Sequence, residues 1–341
     1  KLFHSLLYPL LGGLFCLSCS DDEQDTGTKQ PTTAGEVTFG VDLTGFSTRV
    51  TQDGSSWNDG DKIGTYVLDM KTLEPVTEAA NVPYVCSEEG ASVSFTSTTP
   101  LKVQNDGTPV KFVAYYPYNA DVRNFNYPVQ LAAQERGSTA CDLLYAATKE
   151  EYTYSPENEP HISLNFTHRL AKVILKFVNM EKEPLEVSDV RIEGMQTAAS
   201  FNIQTDVLTV DESSVATINP YHNATTGFYE AIILPSALTD SYKVSFVLDD
   251  REKEWIFTNL DIALPQFHKG YSYTFALYID DSGFVEMGRL ENVEGGNSSA
   301  PWEDGSSEDG TAEGDKTPVS GYAFTPADGT QQALADTELK I

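Results

Sequence analysis

The chain has 341 residues, of which 40% are hydrophobic and 11% aromatic, so it can bury a substantial core. Its 51 Asp and Glu residues outnumber the 22 Lys and Arg residues, and the net charge is −29. This charge argues against nucleic acids and anionic membrane surfaces as partners. Without the N-terminal signal described next, about 320 residues remain, which suits two domains of ordinary size.

Residues 1–18 combine a basic start at Lys1 with an apolar run that is too short to span a bilayer, as in a secretory signal. Cys19 follows, and then the acidic stretch 20–23. The junction resembles the lipobox of bacterial lipoproteins, although Cys16 stands where that family usually has leucine. The resemblance implies lipidation of Cys19, and the acidic stretch resembles the signal that directs Bacteroidetes lipoproteins to the outer face of the outer membrane. The alternative is an ordinary cleaved signal in which the cysteine has no role.

The rest of the chain divides into four segments by composition. Residues 19–36 are polar and are expected to form a flexible acidic leash. Residues 37–157 and 158–290 are expected to form an N-terminal and a C-terminal β-sandwich domain, joined within the polar, proline-containing stretch 148–160. Residues 291–341 are predicted to be a disordered acidic spacer, rich in Gly and Ser, that leads to a C-terminal segment.

Alternation of apolar and polar residues with a period of two, typical of half-buried strands, recurs through both domains. The alternating runs are Val37–Leu43, Ala91–Ser97, Val110–Tyr118, Ala171–Val178, Tyr242–Leu248 and Tyr271–Ile279. No window before the C-terminal tail has the period of an amphipathic helix. Many short strands separated by turn residues predict an all-β fold of antiparallel sandwiches.

Four short motifs follow one another along this pattern. They are SSWNDGDKIGTYV (55–67), VAYYPYN (113–119), CDLLYAAT (141–148) and LNFTHRLAKVILKF (164–177). Together they resemble the Bacteroidetes fimbrillin family, whose members are subunits of surface fimbriae. The resemblance implies two tandem transthyretin-like domains, other fimbrial subunits as partners, and a fimbrial location at the cell surface with a lipid anchor in the outer membrane.

The resemblance also implies assembly by strand exchange, in which a protease cuts after a basic residue, the first strand leaves, and a strand of another subunit replaces it. The first alternating run would supply the removable strand, with four apolar residues on one side: Val37, Phe39, Val41 and Leu43. Arg49 follows shortly and is the candidate cleavage site. The alternative is that Arg49 is a surface residue and the strand stays in place. The C-terminal segment lacks a long alternating pattern, which fits a tip or accessory subunit better than a repeating shaft subunit.

Two cysteines lie beyond the lipidation candidate Cys19, namely Cys86 and Cys141. Export permits a disulfide between them, and two separate buried thiols are the alternative. The sequence contains no recognisable motif for nucleophilic catalysis, zinc binding, phosphate binding or calcium binding. No enzymatic activity, metal or cofactor is therefore expected.

A second functional hypothesis is a carbohydrate-binding surface lipoprotein, with host glycans or proteins as partners. It would require exposed aromatic side chains among Tyr115, Tyr116, Tyr118 and Trp302. Packing at the core or rim of the sandwich is favoured for the three tyrosines, and Trp57 is expected to fill the core beside a turn.

The remaining polar candidates are predicted to have structural roles. Asp59 and Asp61 are interpreted as part of a solvated turn rather than as ligands of a cation. His168 is expected to be a hydrogen-bonded structural residue. The other histidines considered have no metal-ligand spacing: His161, His222 and His268.

Overall fold

The computed structural model describes residues 34–42, 57–77, 80–90, 92–157, 159–180, 185–248, 251–258, 264–279, 285–291 and 303–304. Within these residues the chain is built from strands and one short 3₁₀ turn. The described part of the chain holds no helix with the length and apolarity needed to cross a bilayer. The prediction of an all-β fold is confirmed.

The first eleven strands, with the 3₁₀ turn at Thr139–Cys141, precede residue 170. They are β1 (Ala34–Glu36), β2 (Thr38–Asp42), β3 (Lys62–Asp69), β4 (Val82–Cys86), β5 (Ser92–Thr96), β6 (Lys102–Gln104), β7 (Val110–Tyr116), β8 (Asn126–Gln130), β9 (Leu144–Ala147), β10 (His161–Ser163) and β11 (Thr167–His168).

The remaining thirteen described strands follow. They are β12 (Ala171–Asn179), β13 (Val187–Glu193), β14 (Ala198–Asn202), β15 (Val207–Val210), β16 (Tyr221–Asn223), β17 (Phe228–Ile233), β18 (Ser236–Ala237), β19 (Lys243–Leu248), β20 (Arg251–Ile256), β21 (Gln266–Phe267), β22 (Tyr271–Ile279), β23 (Val285–Glu291) and β24 (Glu303–Asp304). All six alternating runs of the sequence coincide with strands.

The N-terminal half is organised around an eight-stranded sheet with the order β10-β2-β5-β4-β3-β7-β9-β11. Successive residues of β7 belong to different cores, because side chains alternate across a strand. Phe112 lies in a core with Phe39 and Phe95, whereas Val113 and Tyr115 lie in a second core on the opposite face. The sheet is therefore covered on both faces, which explains the nearly continuous burial of β3 and β7.

The second of these cores is shared by the two halves of the molecule. It joins Tyr115 and Tyr145 of the large sheet to Phe201 of β14 and Ile232 of β17. Strand β8 of the N-terminal half pairs with β14, so a three-stranded sheet, β15-β14-β8, crosses between the halves. The two halves are thus joined by a continuous packed core and a shared sheet.

The C-terminal half packs a larger sheet, β16-β17-β12-β22-β23, against the three-stranded sheet β13-β19-β20. Strand β24 also pairs with β22, and β18 pairs with β21. The core between these sheets contains Leu175 of β12, Phe246 of β19, Trp255 of β20 and Phe275 of β22. This arrangement is a β-sandwich.

Several predicted boundaries and pairings differ from the structure. Strands β10 and β11 belong to the N-terminal sheet, so the second half begins near β12 rather than at residue 158. The predicted leash ends earlier, because residues 34–36 form β1, and residues 303–304 of the predicted spacer form β24. The sheets are not purely antiparallel, since β2 pairs with β10 and β12 pairs with β22 in parallel. Strands β1, β10, β11 and β24 are held by backbone pairing with other strands, and the composition of these short segments does not show that they pair.

Gly64, which lies in the motif of residues 55–67, has a packing role. Gly64 lies opposite Tyr115 on neighbouring strands, and a Cβ atom at residue 64 would overlap the tyrosine ring. The Tyr115 hydroxyl donates to Asn81 Oδ1 at 2.7 Å. The absent side chain of Gly64 therefore leaves the space that the buried tyrosine occupies.

Replacing Gly64 by alanine is expected to lower the free energy of unfolding by about 1–3 kcal/mol, because the Tyr115 ring must move in a packed core. Urea denaturation with a fluorescence readout measures this. The matched control is Gly90→Ala, where the new Cβ would lie 3.6 Å from Val93 Cγ1, an ordinary contact. Equal effects of the two substitutions would contradict this account.

Candidate functional site: the N-terminal strand and its groove

The N-terminal strand segment, residues 34–42, is bordered by other strands along both edges of β2. Strand β2 pairs with β5 in antiparallel register, with Phe39 opposite Phe95. Its other edge pairs with β10 in parallel, with Phe39 opposite Ile162. Strand β1 pairs with β6 in antiparallel register, with Gly35 opposite Val103. We call the space that residues 34–42 occupy, beside β6 and between β5 and β10, the β2 groove. Although only β1 precedes it among the described residues, β2 is an internal strand of the sheet.

The inward side chains of this segment fill the N-terminal core. Val37, Phe39 and Val41 are at most 1% exposed. The Phe39 ring packs edge-on against Tyr84, with 4.8 Å between ring centroids, and against Phe112, with 5.8 Å. Edge-to-face aromatic contacts of this kind add to the energy of apolar burial. The segment is therefore a structural part of the core.

The Tyr84 hydroxyl links the segment to the body of the protein. It donates to the Val37 carbonyl oxygen at 2.9 Å and accepts from the Leu101 amide at 2.8 Å. The Val37 amide in turn donates to the Leu101 carbonyl oxygen at 2.9 Å. Burial raises the pKa of Tyr84 to about 12, so the phenol stays protonated and able to donate at neutral pH.

The carbonyl and amide groups at the β10 edge are also paired. The Thr38 amide donates to the Pro160 carbonyl oxygen at 2.9 Å, and the Leu164 amide donates to the Gly40 carbonyl oxygen at 2.9 Å. Outward-facing contacts are weaker: Thr38 Oγ1 lies 3.0 Å from His161 Nδ1. Removal of the segment would leave backbone groups unpaired on both sides of the groove.

Three of the residues predicted for the removable strand thus lie together in the groove. Val37, Phe39 and Val41 occupy it as expected. Leu43, the cleavage candidate Arg49 and the lipidation candidate Cys19 lie outside the described residues.

The two cysteines do not form a disulfide. Cys86 is a free thiol in the core that contains Phe39, and Cys141 is a free thiol packed against the core on the opposite face of the sheet. Burial raises the pKa of both thiols. Of the two alternatives drawn from the sequence, the structure has the separate thiols.

The predicted tyrosines have different environments. Tyr115 is fully buried in the shared core. Tyr116 packs edge-on against Trp57, 5.3 Å between centroids, and its hydroxyl donates to Asp61 Oδ1 at 3.3 Å. Trp57 is completely buried, as predicted. Tyr115 and Tyr116 therefore do not form an exposed aromatic platform, and Trp302 lies outside the described residues.

Tyr118 lines an open cleft of about 470 Å³. The cleft also contains Tyr66, Phe125, Arg123 and Asn124. The rings of Tyr66 and Phe125 lie 4.7 Å apart, and Asn124 and Phe125 both have positive φ, 50° and 62°. The Asn126 amide donates to the Arg123 carbonyl oxygen at 3.0 Å, so these two left-handed residues are the central pair of a tight turn.

The other polar candidates have structural contacts. Asp61 Oδ2 accepts from the Asn58 amide at 2.7 Å, which closes the predicted turn. The buried His168 places Nδ1 2.8 Å from Asp142 Oδ1. Among the described residues, no group of three or more His, Cys, Asp or Glu side chains could hold a metal ion.

Sequence reasoning missed the residues that close the groove. Strand β10, with His161, follows a polar proline-containing stretch and is too short to show a period. Tyr84 stands in an alternating stretch, VPYVC, that predicts a strand without revealing its hydroxyl contacts. The two glycines of the segment, Gly35 and Gly40, carried no recognisable signal.

Comparisons with known proteins agree with this architecture. The structure is similar to that of a candidate cell adhesion protein from Bacteroides uniformis, with a TM-score of 0.61 and 23% sequence identity. The similarity covers 75% of this chain and 97% of that one. A second candidate cell adhesion protein, from Bacteroides ovatus, gives a TM-score of 0.56 and 15% identity over 78% of this chain and 97% of that one. These likenesses show a shared fold. No curated protein matches the chain.

The fimbrillin-like family model matches residues 48–302, which is more than half of the sequence. The matched region begins after the N-terminal strand segment and includes all four motifs that carried the resemblance. That resemblance is confirmed: the chain belongs to the fimbrillin-like family.

Proposed function

We propose that this chain is a lipid-anchored fimbrial subunit of the cell surface that assembles by protease-triggered strand exchange. This proposal rests on the observation that β2 fills an internal position of a sheet, with its edges paired to β5 and β10. Its covalent connection onward to the body is the stretch 43–56. That stretch contains Arg49. In this proposal the two halves are tandem transthyretin-like sandwiches, and Cys19 carries the lipid.

The free-energy cost of leaving the groove empty favours replacement of the strand over its simple loss. Each of the three buried side chains contributes about 1.5–3 kcal/mol through burial. Vacating the groove also exposes unpaired backbone edges on β5 and β10, which are templates for pairing with another chain. A strand added from a second subunit restores both contributions, as in other cases of strand addition.

The same proposal gives the subunit a cellular location and a position in the fimbria. Its lipid anchor would hold the uncut form at the outer membrane, and cleavage after Arg49 would release the body together with the opened groove. The poorly alternating C-terminal segment favours a tip or accessory position, with other fimbrial subunits as partners. The role is structural and adhesive, without a chemical step.

Replacing Arg49 by alanine is expected to abolish processing by a trypsin-like protease at this site and the assembly that follows. The unaltered chain should yield a fragment that begins at Val50, by mass spectrometry, and higher-order species by size-exclusion chromatography. Lys29→Ala, which removes the other Lys or Arg residue between Cys19 and Arg49, is the control and should behave normally. Normal processing and assembly of the Arg49→Ala chain would contradict the mechanism.

A second candidate function is glycan adhesion, favoured by the cleft around Tyr118. Its three aromatic rings and Arg123 are residue types that stack on and bind sugars, and the cleft is open to solvent. This role is compatible with assembly, because the cleft and the β2 groove belong to different cores. Tyr66, Tyr118 and Phe125 pack in the core shared by the two halves, whereas Phe39 lies in the core on the opposite face of the sheet.

On a glycan array, the unaltered chain is expected to bind at least one saccharide, and Tyr118→Ala is expected to lose at least about tenfold in affinity through the lost ring contact. Tyr118→Phe retains the ring and should retain binding, and thermal melting checks that both variants fold. Absence of binding by the unaltered chain, or equal binding by Tyr118→Ala, would refute this second role.

A further inference from the structure

We propose that the β2 groove selects its strand by sequence, and that it requires a glycine at the register of Gly35. The preferred strand has the pattern Gly-x-aliphatic-x-aromatic-Gly-aliphatic, corresponding to residues 35–41. This inference rests on the proposed strand exchange, and it names the chemistry of the strand that another subunit must supply.

The strictest position is Gly35. A Cβ atom there would lie 2.5 Å from Tyr154 Cε2 and 3.0 Å from Pro160 Cγ. The φ angle of Gly35 lies outside the left-handed region, so its backbone does not require glycine. The glycine is needed because the Tyr154 ring and the Pro160 ring occupy the space of a side chain.

The two residues that impose this limit are held in place. Pro160 is buried, and its carbonyl oxygen accepts the Thr38 amide at 2.9 Å. Tyr154 packs against the N-terminal core. Nearby, Tyr152 and Val110 exchange backbone hydrogen bonds of 2.8 Å, which fixes the segment that carries Tyr154. A larger side chain at the Gly35 register would have to displace part of this wall.

Gly40 is a second, more permissive position. A Cβ atom there would lie 2.6 Å from His161 Nε2. The imidazole of His161 is exposed and can rotate away, but it would then lose its 3.0 Å contact with Thr38 Oγ1. We therefore expect graded discrimination at the Gly40 register and strong discrimination at the Gly35 register.

The inward positions set the remaining pattern. The site of Phe39 is lined by the rings of Tyr84 and Phe112, which an aromatic side chain fills. Val41 lies opposite Val93 and is 1% exposed, so a charged residue at this register would be buried without a partner. An aliphatic side chain is required there.

The pattern points to a different subunit as the source of the strand. Elsewhere in this sequence Gly-x-Val occurs once, at Gly283, where it continues as Gly283-Phe-Val-Glu-Met-Gly288. Arg289 then stands at the register of Val41. Insertion of this segment from a second copy of the chain would bury a charge without a partner, so the segment is a poor donor. The second copy's own residues 34–42 leave with the cleaved fragment in the proposed mechanism, so a cleaved second copy is a poor donor as well.

The first test uses the intact, uncut chain. Gly35→Val is expected to lower the melting temperature by at least about 2 °C, because the new side chain overpacks the site against Tyr154 and Pro160. Because Tyr154→Ala removes core packing of its own, it is the reference for the double variant: in the Tyr154→Ala chain, Gly35→Val should lower the melting temperature much less, since the space is open. Glu36→Val, at the neighbouring exposed residue, is the control. A Gly35→Val chain as stable as the control, or an equal loss from Gly35→Val in the Tyr154→Ala chain, would overturn the proposal.

The second test uses the full chain after cleavage at Arg49, mixed with synthetic peptides of residues 34–43. The unaltered peptide and its Glu36→Val form should be incorporated, and the Gly35→Val form at least about tenfold less. Equal incorporation of all three overturns the specificity and leaves strand exchange intact. If no peptide is incorporated, strand exchange fails, and the melting experiment alone decides what the groove requires. A peptide of residues 283–292 should be incorporated poorly; efficient incorporation would overturn the assignment to a different subunit.

Discussion

The N-terminal half of the molecule depends on the insertion of one short segment between β5 and β10. Phe39 contributes its ring to the core, and its backbone pairs with Phe95 on one side and Ile162 on the other. The Tyr84 hydroxyl ties the same segment to Leu101. In the proposed mechanism, a strand that completes both a sheet and a core is replaced only by another strand of matching shape.

The junction between the halves gives the rest of the molecule a separate source of stability. Gln134 spans it, donating from Nε2 to the Ile232 carbonyl oxygen at 2.7 Å and accepting from the Ile232 amide at 2.8 Å. Arg169 Nε donates to Asp206 Oδ1 at 2.5 Å, and its guanidinium lies 4.7 Å from the Tyr145 ring centroid. None of these contacts involves residues 34–42, so the shared core would remain packed when the β2 groove opens.

Periodicity predicted the strands well because half-buried strands repeat apolar residues every two positions, as β5 does with Val93 and Phe95 buried between exposed residues. It could not reveal β10, whose three residues are placed by backbone pairing with β2. The sequence identified residues of the inserted strand but not the residues that line its groove. Val37, Phe39 and Val41 follow the alternating pattern, whereas Tyr84 and Tyr154 reach the groove through contacts between residues distant in sequence. The boundary at residue 158 was wrong because a polar stretch was interpreted as a linker between domains.

The most direct test of the central claim is hydrogen exchange, measured by mass spectrometry, on the full chain before and after cleavage at Arg49. The account predicts that the 1–49 fragment dissociates and that amides of β5 and β10 then lose protection, while those of β12 and β22 keep theirs. Protection at β5 and β10 should return when a peptide of residues 34–43 is added. Unchanged protection of β5 and β10 after the fragment has dissociated would contradict the account.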